Sequence, residues 1–270
     1  LYVRSDTLLP ASGVWGNMVW ELDEDGNLFI TGTGDMERFS GTTDENAWLA
    51  YKEYITYVHL SEGITDIGWY EFNNCRNMTR IFIPDGITEI ANSAFLWCTD
   101  LKLILLPNSL TKIRQYAFQQ CESLQEMVIP DSVNTIEKYA FSQCHGLKTV
   151  ILPPDITEIA EGLFWEDTSL TKVTIPSGVL VIGESAFEQC EMLEEIIIPE
   201  RTYAVFETEK QHSPIDEYFA LRKQIATEWL TNEEYQIVNA PEVAVYHWGI
   251  VGGYKERTIE IWIPIEKQNG

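Results

Sequence analysis

The 23 residues from Ile129 to Ile151 read IPDSVNTIEKYAFSQCHGLKTVI, and the same pattern returns six times over residues 60–199. Three columns carry most of the repetition. They are Pro84, Pro107, Pro130, Pro153, Pro176 and Pro199; Phe72, Phe95, Phe118, Phe141, Phe164 and Phe187; and Met78, Leu101, Leu124, Leu147, Leu170 and Leu193. A period of this length indicates a solenoid, in which each unit stacks on the next.

The cysteines form a fourth column. Cys75, Cys98, Cys121, Cys144 and Cys190 share one slot of the repeat, and Asp167 stands in the slot without a thiol. Recurrence at one slot predicts buried, small apolar side chains rather than a disulfide framework. No CxxC pair and no histidine at ligand spacing accompanies them. We therefore predict neither a metal nor a cofactor.

Three sets of apolar slots predict the structure of one unit. They indicate a short strand that Pro153 ends, a second inward turn, and one face of a short helical turn. In that order they are Leu147, Val150 and Leu152; Val133 and Ile136; and Ala140, Phe141 and Cys144. A unit this small cannot bury its own apolar face, so the columns must become ladders through one elongated core.

The 23-residue unit, with its Ile-Pro start, Ala-Phe-x-x-Cys centre and Leu-x-x-Ile-x-Ile end, resembles the BspA-like class of bacterial leucine-rich repeats. The segment Val19–Gly34 is similar to the N-terminal cap of such proteins, so the resemblance covers residues 19–199. The cap reads as a hairpin around Asp25-Gly26, a strong turn pair. A degenerate first unit around Trp48 follows it.

The period stops after Pro199, and the pattern changes to strand, helix, strand and strand. Strands are predicted at residues 201–207, 243–248 and 258–265, and Ser213-Pro214 begins an amphipathic helix. Short motifs over residues 198–267 resemble the second half of GyrI-like domains, the effector-binding modules of AraC- and MerR-type regulators. They include Thr202–Glu207, Ala240-Pro241-Glu242 and Glu260–Ile265.

The predicted fold class is α+β, a leucine-rich-repeat solenoid of short parallel strands followed by a small strand-helix-strand-strand module. We divide the chain into residues 1–59, the β-hairpin cap with a degenerate first repeat; residues 60–199, the repeats; and residues 200–270, the half GyrI-like module. Only one of the two halves of a GyrI-like domain is present. This leaves three alternatives: the repeats supply the missing wall of the cleft, two chains pair their half-domains as a homodimer, or the cleft is vestigial.

Charge limits the partners. The 270 residues hold 42 acidic and 18 basic side chains, a formal net charge of −24. Such an acidic protein is a poor partner for nucleic acid or for an anionic membrane surface, and no apolar run approaches the roughly 18 residues of a membrane span. These features exclude the DNA-binding role that the GyrI-like resemblance would otherwise imply.

One outward slot of the repeats is apolar in nearly every unit. It holds Phe82, Leu105, Val128, Ile151, Thr174 and Ile197. The row is either a structural ladder of β-branched residues or a hydrophobic docking strip for a protein partner. The next row, Arg80, Leu103, Glu126, Thr149, Lys172 and Glu195, is mixed in charge.

A second candidate site lies on the last predicted strand. Alternation puts Glu260 and Trp262 on the face opposite the isoleucines, where a carboxylate beside an indole suits an organic cation or a hydrophobic ligand. Tyr246 and Trp248 are expected to extend this aromatic wall. The alternative is that the face packs on the repeats, or that Glu260 is a solvated carboxylate.

The leading hypothesis is a non-enzymatic binding protein, since no nucleophile, metal set or catalytic motif stands out. The GyrI-like resemblance implies a second hypothesis, a hydrolase of small molecules centred on Glu260 with Trp262 or Trp229. The repeat resemblance implies a third, a bacterial surface adhesin. The repeats thus favour the cell surface and the effector module favours the cytoplasm, so localisation stays open.

Overall fold

The computed structural model of the protein describes residues 9–36 and 48–197, together with the backbone of four strands at 203–207, 235–237, 243–251 and 254–267. The chain forms two compact units. The first contains Leu1–Pro176 and Gly183–Ile198, and the second contains Ser177–Ile182 and Pro199–Gly270.

The first unit is the predicted solenoid. Each repeat contributes a short front strand, and successive front strands lie 23 residues apart and run parallel. The front strands are β5 (Tyr57–Leu60), β7 (Arg80–Phe82), β9 (Leu103–Leu105), β11 (Glu126–Val128), β13 (Thr149–Ile151), β15 (Lys172–Thr174) and β17 (Glu195–Ile197). The second strands of the repeats are β6 (Ile64–Asp66), β8 (Glu89–Ile90), β10 (Lys112–Ile113), β12 (Thr135–Ile136), β14 (Glu158–Ile159) and β16 (Val181–Ile182), and the last of these belongs to the second unit.

The N-terminal cap extends the front sheet. Strands β1 (Ala11–Trp15), β2 (Met18–Leu22) and β3 (Asn27–Gly32) are antiparallel, and β3 then pairs with β5 in parallel. The hairpin predicted around Asp25-Gly26 is the β2-β3 pair, and Gly26 adopts a φ of 82° in its turn. Strand β4 (Gly34–Asp35) pairs with β6, so the cap continues both strand rows.

The predicted ladders form the core. Phenylalanine rings of adjacent repeats stack with centroids 5.3 to 6.0 Å apart, and the buried Trp48 continues the stack beyond Phe72. The five cysteines are free thiols. Four of them are buried, and Cys190 is half-buried. The Sγ–H groups of the four thiols from Cys98 onward also donate to backbone carbonyls of the phenylalanine column at 3.0 to 3.3 Å, for example from Cys144 to Phe118. The ladder is therefore held by hydrogen bonds as well as by packing.

The helical turn predicted for Ala140, Phe141 and Cys144 is a different structure. Alternate N–H groups point along the solenoid, from Tyr139 to Glu161, from Phe141 to Leu163 and from Gln143 to Trp165. The remaining N–H groups close local turns, such as Cys144 to Phe141. This alternation requires left-handed backbone at two slots of each repeat, including Tyr139 (φ 56°) and Gln143 (φ 60°). The three apolar side chains are buried as predicted.

The second unit contains a small antiparallel sheet. Its long strand β21 (Tyr254–Lys267) pairs with β18 (Tyr203–Glu207), β19 (Tyr235–Ile237) and β20 (Val243–Val251). The three predicted strands are present, and β20 and β21 are longer than predicted. Strand β19 was not predicted, because three residues give too short an alternation to recognise. The helix predicted from Ser213 lies outside the described residues.

Candidate partner-binding face

The front strands present two rows of side chains to solvent. The middle residue of each front strand from β7 to β15 points into the core, as the buried Ile81, Met127 and Val173 illustrate, so the residues on either side face outward. The outer row contains the six residues that the sequence predicted: Phe82, Leu105, Val128, Ile151, Thr174 and Ile197. Register aligns them, since Phe82 pairs with Leu105 and Val128 with Ile151.

Exposure differs along this outer row. The side chains of Leu105, Val128 and Ile151 are 52%, 67% and 63% exposed, whereas Phe82 and Ile197 are half-buried. In the second row Leu103 is also exposed, at 44%. The exposed apolar surface is thus concentrated on β9, β11 and β13, in the middle of the solenoid.

An aromatic cluster lies at the N-terminal end of the same face. We use this name for Phe29, Tyr57, His59, Arg80 and Phe82. The Arg80 guanidinium carbon lies 4.7 Å from the Tyr57 ring centroid, and the rings of Tyr57 and Phe82 meet edge to face at 5.8 Å. Phe29 and His59 are register partners with ring centroids 6.0 Å apart. Tyrosine and arginine are the residue types that anchor many protein interfaces.

Most of this cluster escaped sequence analysis. Tyr57 and His59 lie 23 residues before Arg80 and Phe82, so extending the period by one unit would have found them. Phe29 lies 30 residues before His59, because the loop between β3 and β5 does not keep the repeat length. No periodicity in the sequence could have placed Phe29 on this face.

A groove of about 570 Å³ opens on the face between β9 and β11. The six-stranded front sheet runs from β1 to β9 and a four-stranded sheet starts at β11, so the strand ladder is interrupted at the groove. Its apolar walls include Leu103, Leu105, Leu106, Val128 and Pro130. Its polar lining is Lys102, Asn108, Ser123, Gln125 and Glu126.

Two acids are buried in the repeats, away from this groove. Burial raises the pKa of Asp167 well above its usual range, and its Oδ1 accepts a hydrogen bond from the Cys144 N–H at 2.8 Å. Within the described part of the chain, Asp167 Oδ2 has no hydrogen-bond partner. Burial, followed by the charge of Asp66, raises the pKa of Glu71 to about 8. Both acids favour the neutral form.

Backbone register locates the predicted ligand residues of the second unit. Glu260 pairs with Val245 on one side and with Glu207 on the other, and Trp262 pairs with Val243 and Val205. These residues therefore share one face of the sheet, since directly paired residues of antiparallel strands lie on the same face.

Tyr246 and Trp248 belong to the other face, because they pair with Ile259 and Arg257. This backbone register does not support the expectation that they extend an aromatic wall beside Glu260, and the four ligand residues stay a prediction. The side chains of this unit lie outside the described residues. The hydrolase hypothesis requires that Glu260 lie in a closed cavity, and this enclosure stays a prediction.

Two further features bear on function. Over residues 9–36 and 48–197, no group of three or more histidine, cysteine or acidic side chains is placed to hold a metal ion. None of the helical segments in the described residues has the length and apolar character of a membrane span.

Two family models match the chain. The model described as BspA type leucine rich repeat region matches in six copies over residues 46–133 and 111–209, which is more than half of the chain. The model described as integron-associated effector binding protein matches residues 167–265. That second match agrees with the predicted effector-binding resemblance, but it begins within the repeats. No curated protein matches the chain.

Solved structures of bacterial repeat proteins are also similar. A leucine-rich repeat protein from Bacteroides ovatus is 25% identical with a TM-score of 0.56, covering 69% of this chain and 53% of its own. A leucine rich cell surface protein from Faecalibacterium prausnitzii is 26% identical with a TM-score of 0.55, covering 76% and 59%. The leucine rich repeat protein of T. pallidum is 29% identical with a TM-score of 0.51, covering 66% and 89%.

The chain spans little more than half the length of the first two of these structures. The repeat columns, the parallel front strands and the family match over most of the solenoid agree with one another. The chain therefore belongs to the BspA type of leucine-rich repeat proteins.

Proposed function

We propose that this chain is a non-enzymatic binding protein whose outer face takes a partner protein. The observation that carries the proposal is the exposure of Leu105, Val128 and Ile151, each more than half exposed and aligned on adjacent repeats. Burying an aliphatic side chain of this size stabilises a complex by roughly 1.5–3 kcal/mol, so three aligned side chains supply a substantial part of a binding free energy.

The same proposal includes a role at the bacterial surface. Support comes from the similarity to the Faecalibacterium prausnitzii structure, which is described as a leucine rich cell surface protein. In that role the partner is a protein that contacts the bacterial surface, and the same exposed row of apolar side chains binds it and so mediates adhesion. The cell surface as the location of this chain is part of the proposal.

A fragment-display selection tests the proposed face. Protein fragments are selected on the wild type and then measured on a triple variant, Leu105→Thr, Val128→Thr and Ile151→Thr, which keeps residues that favour strands. The selected fragments should bind the triple variant at least tenfold more weakly. Trp97→Asn is the matched control, because Trp97 is 41% exposed in a turn and Asn tolerates its left-handed backbone. Equal binding to wild type and triple variant would remove the face from consideration.

A second function, binding of a small cationic ligand by the C-terminal module, has its own support. The effector-binding family model matches residues 167–265, and register places Glu207 directly opposite Glu260. Two carboxylates in opposed positions of a sheet repel each other, and an organic cation between them would relieve that repulsion. Glu260 and Trp262 remain the proposed ligand residues.

A thermal-shift experiment tests this second function. Tetraphenylphosphonium should raise the melting temperature of the wild type and of Glu266→Gln, which loses one charge on the same strand. The shift should disappear in Glu260→Gln. No shift in the wild type would end the cation proposal. Sedimentation equilibrium on the same samples tests whether half-domains pair as a homodimer, which requires a concentration-dependent dimer.

A further inference from the structure

The groove between β9 and β11 has the size and lining of a site for an extended peptide. Its volume of about 570 Å³ falls within the range of ligand pockets, which is about 300–1,000 Å³. Leu103, Leu105 and Val128 give it apolar walls that can receive one large apolar side chain. Asn108, Ser123 and Gln125 line the same groove and offer both donors and acceptors to a peptide backbone.

Basic side chains flank the groove on both sides. Lys102 lines it, Arg80 is the register partner of Leu103 on the β7 side, and Lys148 precedes β13 on the other side. All three are exposed, and no carboxylate of the described residues forms an ion pair with them. Glu126 is the acidic residue of the lining. Basic side chains therefore outnumber Glu126 at the end of the groove where the strands begin, whereas Asp85 and Asp131 follow the prolines at its other end.

This local charge stands out against the rest of the solenoid. The chain carries a formal net charge of −24, and three other basic residues of the repeats already have acidic partners. Arg114 bridges Glu89 and Glu137, and Lys172 pairs with Glu195. At physiological ionic strength the Debye length is about 8 Å, so the charges at the groove, rather than the distant net charge, act on a bound ligand.

The aromatic cluster continues the same surface beyond β7. Five front strands, β5 to β13, separate the Tyr57 end of this surface from Lys148. At about 4.8 Å between neighbouring strands, they cover at least about 19 Å, which about six extended residues span. A peptide lying across the strands would meet Lys148, the groove, Arg80 and then Tyr57.

We propose that this groove binds an extended acidic segment of a partner protein, with one large apolar side chain in the groove and carboxylates on Lys102, Arg80 and Lys148. The proposal rests on the proposed function, because it uses the same outer face. It adds the chemistry of the partner, which is acidic and apolar, and a recognition length of about six residues.

Fluorescence anisotropy with the full chain tests the proposal. The probes are three labelled six-residue peptides with a Leu-Trp centre, flanked on each side by two glutamates, two serines or two lysines. The glutamate peptide should bind at least tenfold more tightly than the lysine peptide, and added salt should weaken it. Lys102→Gln should weaken the glutamate peptide by about tenfold, because it removes a charge-assisted hydrogen bond. Lys112→Gln, on the second strand β10, is the matched control and should change nothing.

The outcomes separate the two proposals. Three outcomes overturn the acidic-segment proposal. The serine or lysine peptide binds as tightly as the glutamate peptide or more tightly, or Lys102→Gln has no effect. The third is that no probe binds at about 1 mM peptide, which is on the order of the weakest specific affinities. The proposed function still stands in each case if selected fragments lose affinity for the triple threonine variant. A dimer in sedimentation equilibrium that Lys102→Gln dissociates would assign the groove to a second copy of this chain, which also overturns it.

Discussion

Asp167 is the residue that departs most from its column, because it places a carboxyl group where five other repeats hold a thiol. Each thiol from Cys98 onward donates to the carbonyl found 26 residues earlier. The equivalent carbonyl for residue 167 belongs to Phe141. A thiol at this position would donate to it and would have no charged form to desolvate at neutral pH, because burial raises thiol pKa values in this column.

Asp167→Cys should therefore stabilise the solenoid, with a pH-dependent gain. The raised pKa of Asp167 means that the folded chain keeps the proton after the unfolded chain has lost it, so wild-type stability falls as pH rises from the unfolded pKa to the folded pKa. As the pH rises above about 3.9, the usual pKa of an unfolded aspartate, the advantage of the cysteine variant should grow by up to about 1.4 kcal/mol per pH unit. Urea denaturation at several pH values measures it. Asp167→Asn is the control. If the advantage of Asp167→Cys over the wild type did not change with pH, it would contradict a neutral Asp167.

Gly162 is a second residue with a specific constraint. It takes the left-handed slot that Tyr139 fills in the preceding repeat, and a Cβ at Gly162 would lie 2.0 Å from the Tyr139 ring. That ring is held by stacking on Tyr116 and by a hydrogen bond to Glu161, so it cannot move freely. Sequence analysis gave no reason for this glycine, because a left-handed slot filled by tyrosine or serine in other repeats leaves no glycine signature.

Gly162→Ala should cost about 2–4 kcal/mol of unfolding free energy, from backbone strain and from displacement of the ring. Gly86→Ala is the control, because Gly86 also has a positive φ but no atom lies within 4 Å of its Cβ position. It should cost only about 1 kcal/mol. Chemical denaturation of both variants measures the two losses of unfolding free energy. Equal losses would show that the contact with the Tyr139 ring does not destabilise Gly162→Ala.

At the scale of elements, the repeat columns predicted the strands and their register well. An inward-facing Val or Ile with a proline after it marks a front strand wherever it recurs, and Ile81, Val150 and Val173 are buried accordingly. The turns were predicted less well. Apolar residues three and four apart are typical of helices, but here they arise because local turns alternate with hydrogen bonds to the next repeat. Spacing within one unit carries no information on bonds between units.

The phenylalanine ladder makes an element-scale prediction. Phe118 stacks on Phe95 and Phe141 at 5.3 and 5.4 Å and is fully buried, whereas the half-buried Phe187 has one ring neighbour among the described residues, Phe164. Phe118→Ala should cost about 3–5 kcal/mol, the usual range for a buried aromatic side chain. Phe187→Ala should cost at least about 1 kcal/mol less. Denaturation curves of the two variants test this order, and equal costs would mean that stacking does not add along the ladder.

At the scale of the whole molecule, the sequence predicted where the proposed partner face lies but not its shape. The outer row follows from counting by 23, and Leu105, Val128 and Ile151 are exposed on one face. The groove depends on an interruption between β9 and β11, two strands whose residues obey the repeat as well as any others. The residue columns therefore do not encode this interruption.

The thiol column has one more consequence for the whole solenoid. Four thiols are fully buried, and burial raises the pKa of Cys75 to about 12, so an alkylating reagent reaches them only when their own repeat opens. In native protein, Cys190 should react first and the other four much more slowly, as peptide mass spectrometry would show. Simultaneous labelling of all five would mean that the repeats open together. The chain thus carries a built-in reporter in nearly every repeat, and the order of labelling records the direction in which the solenoid unravels.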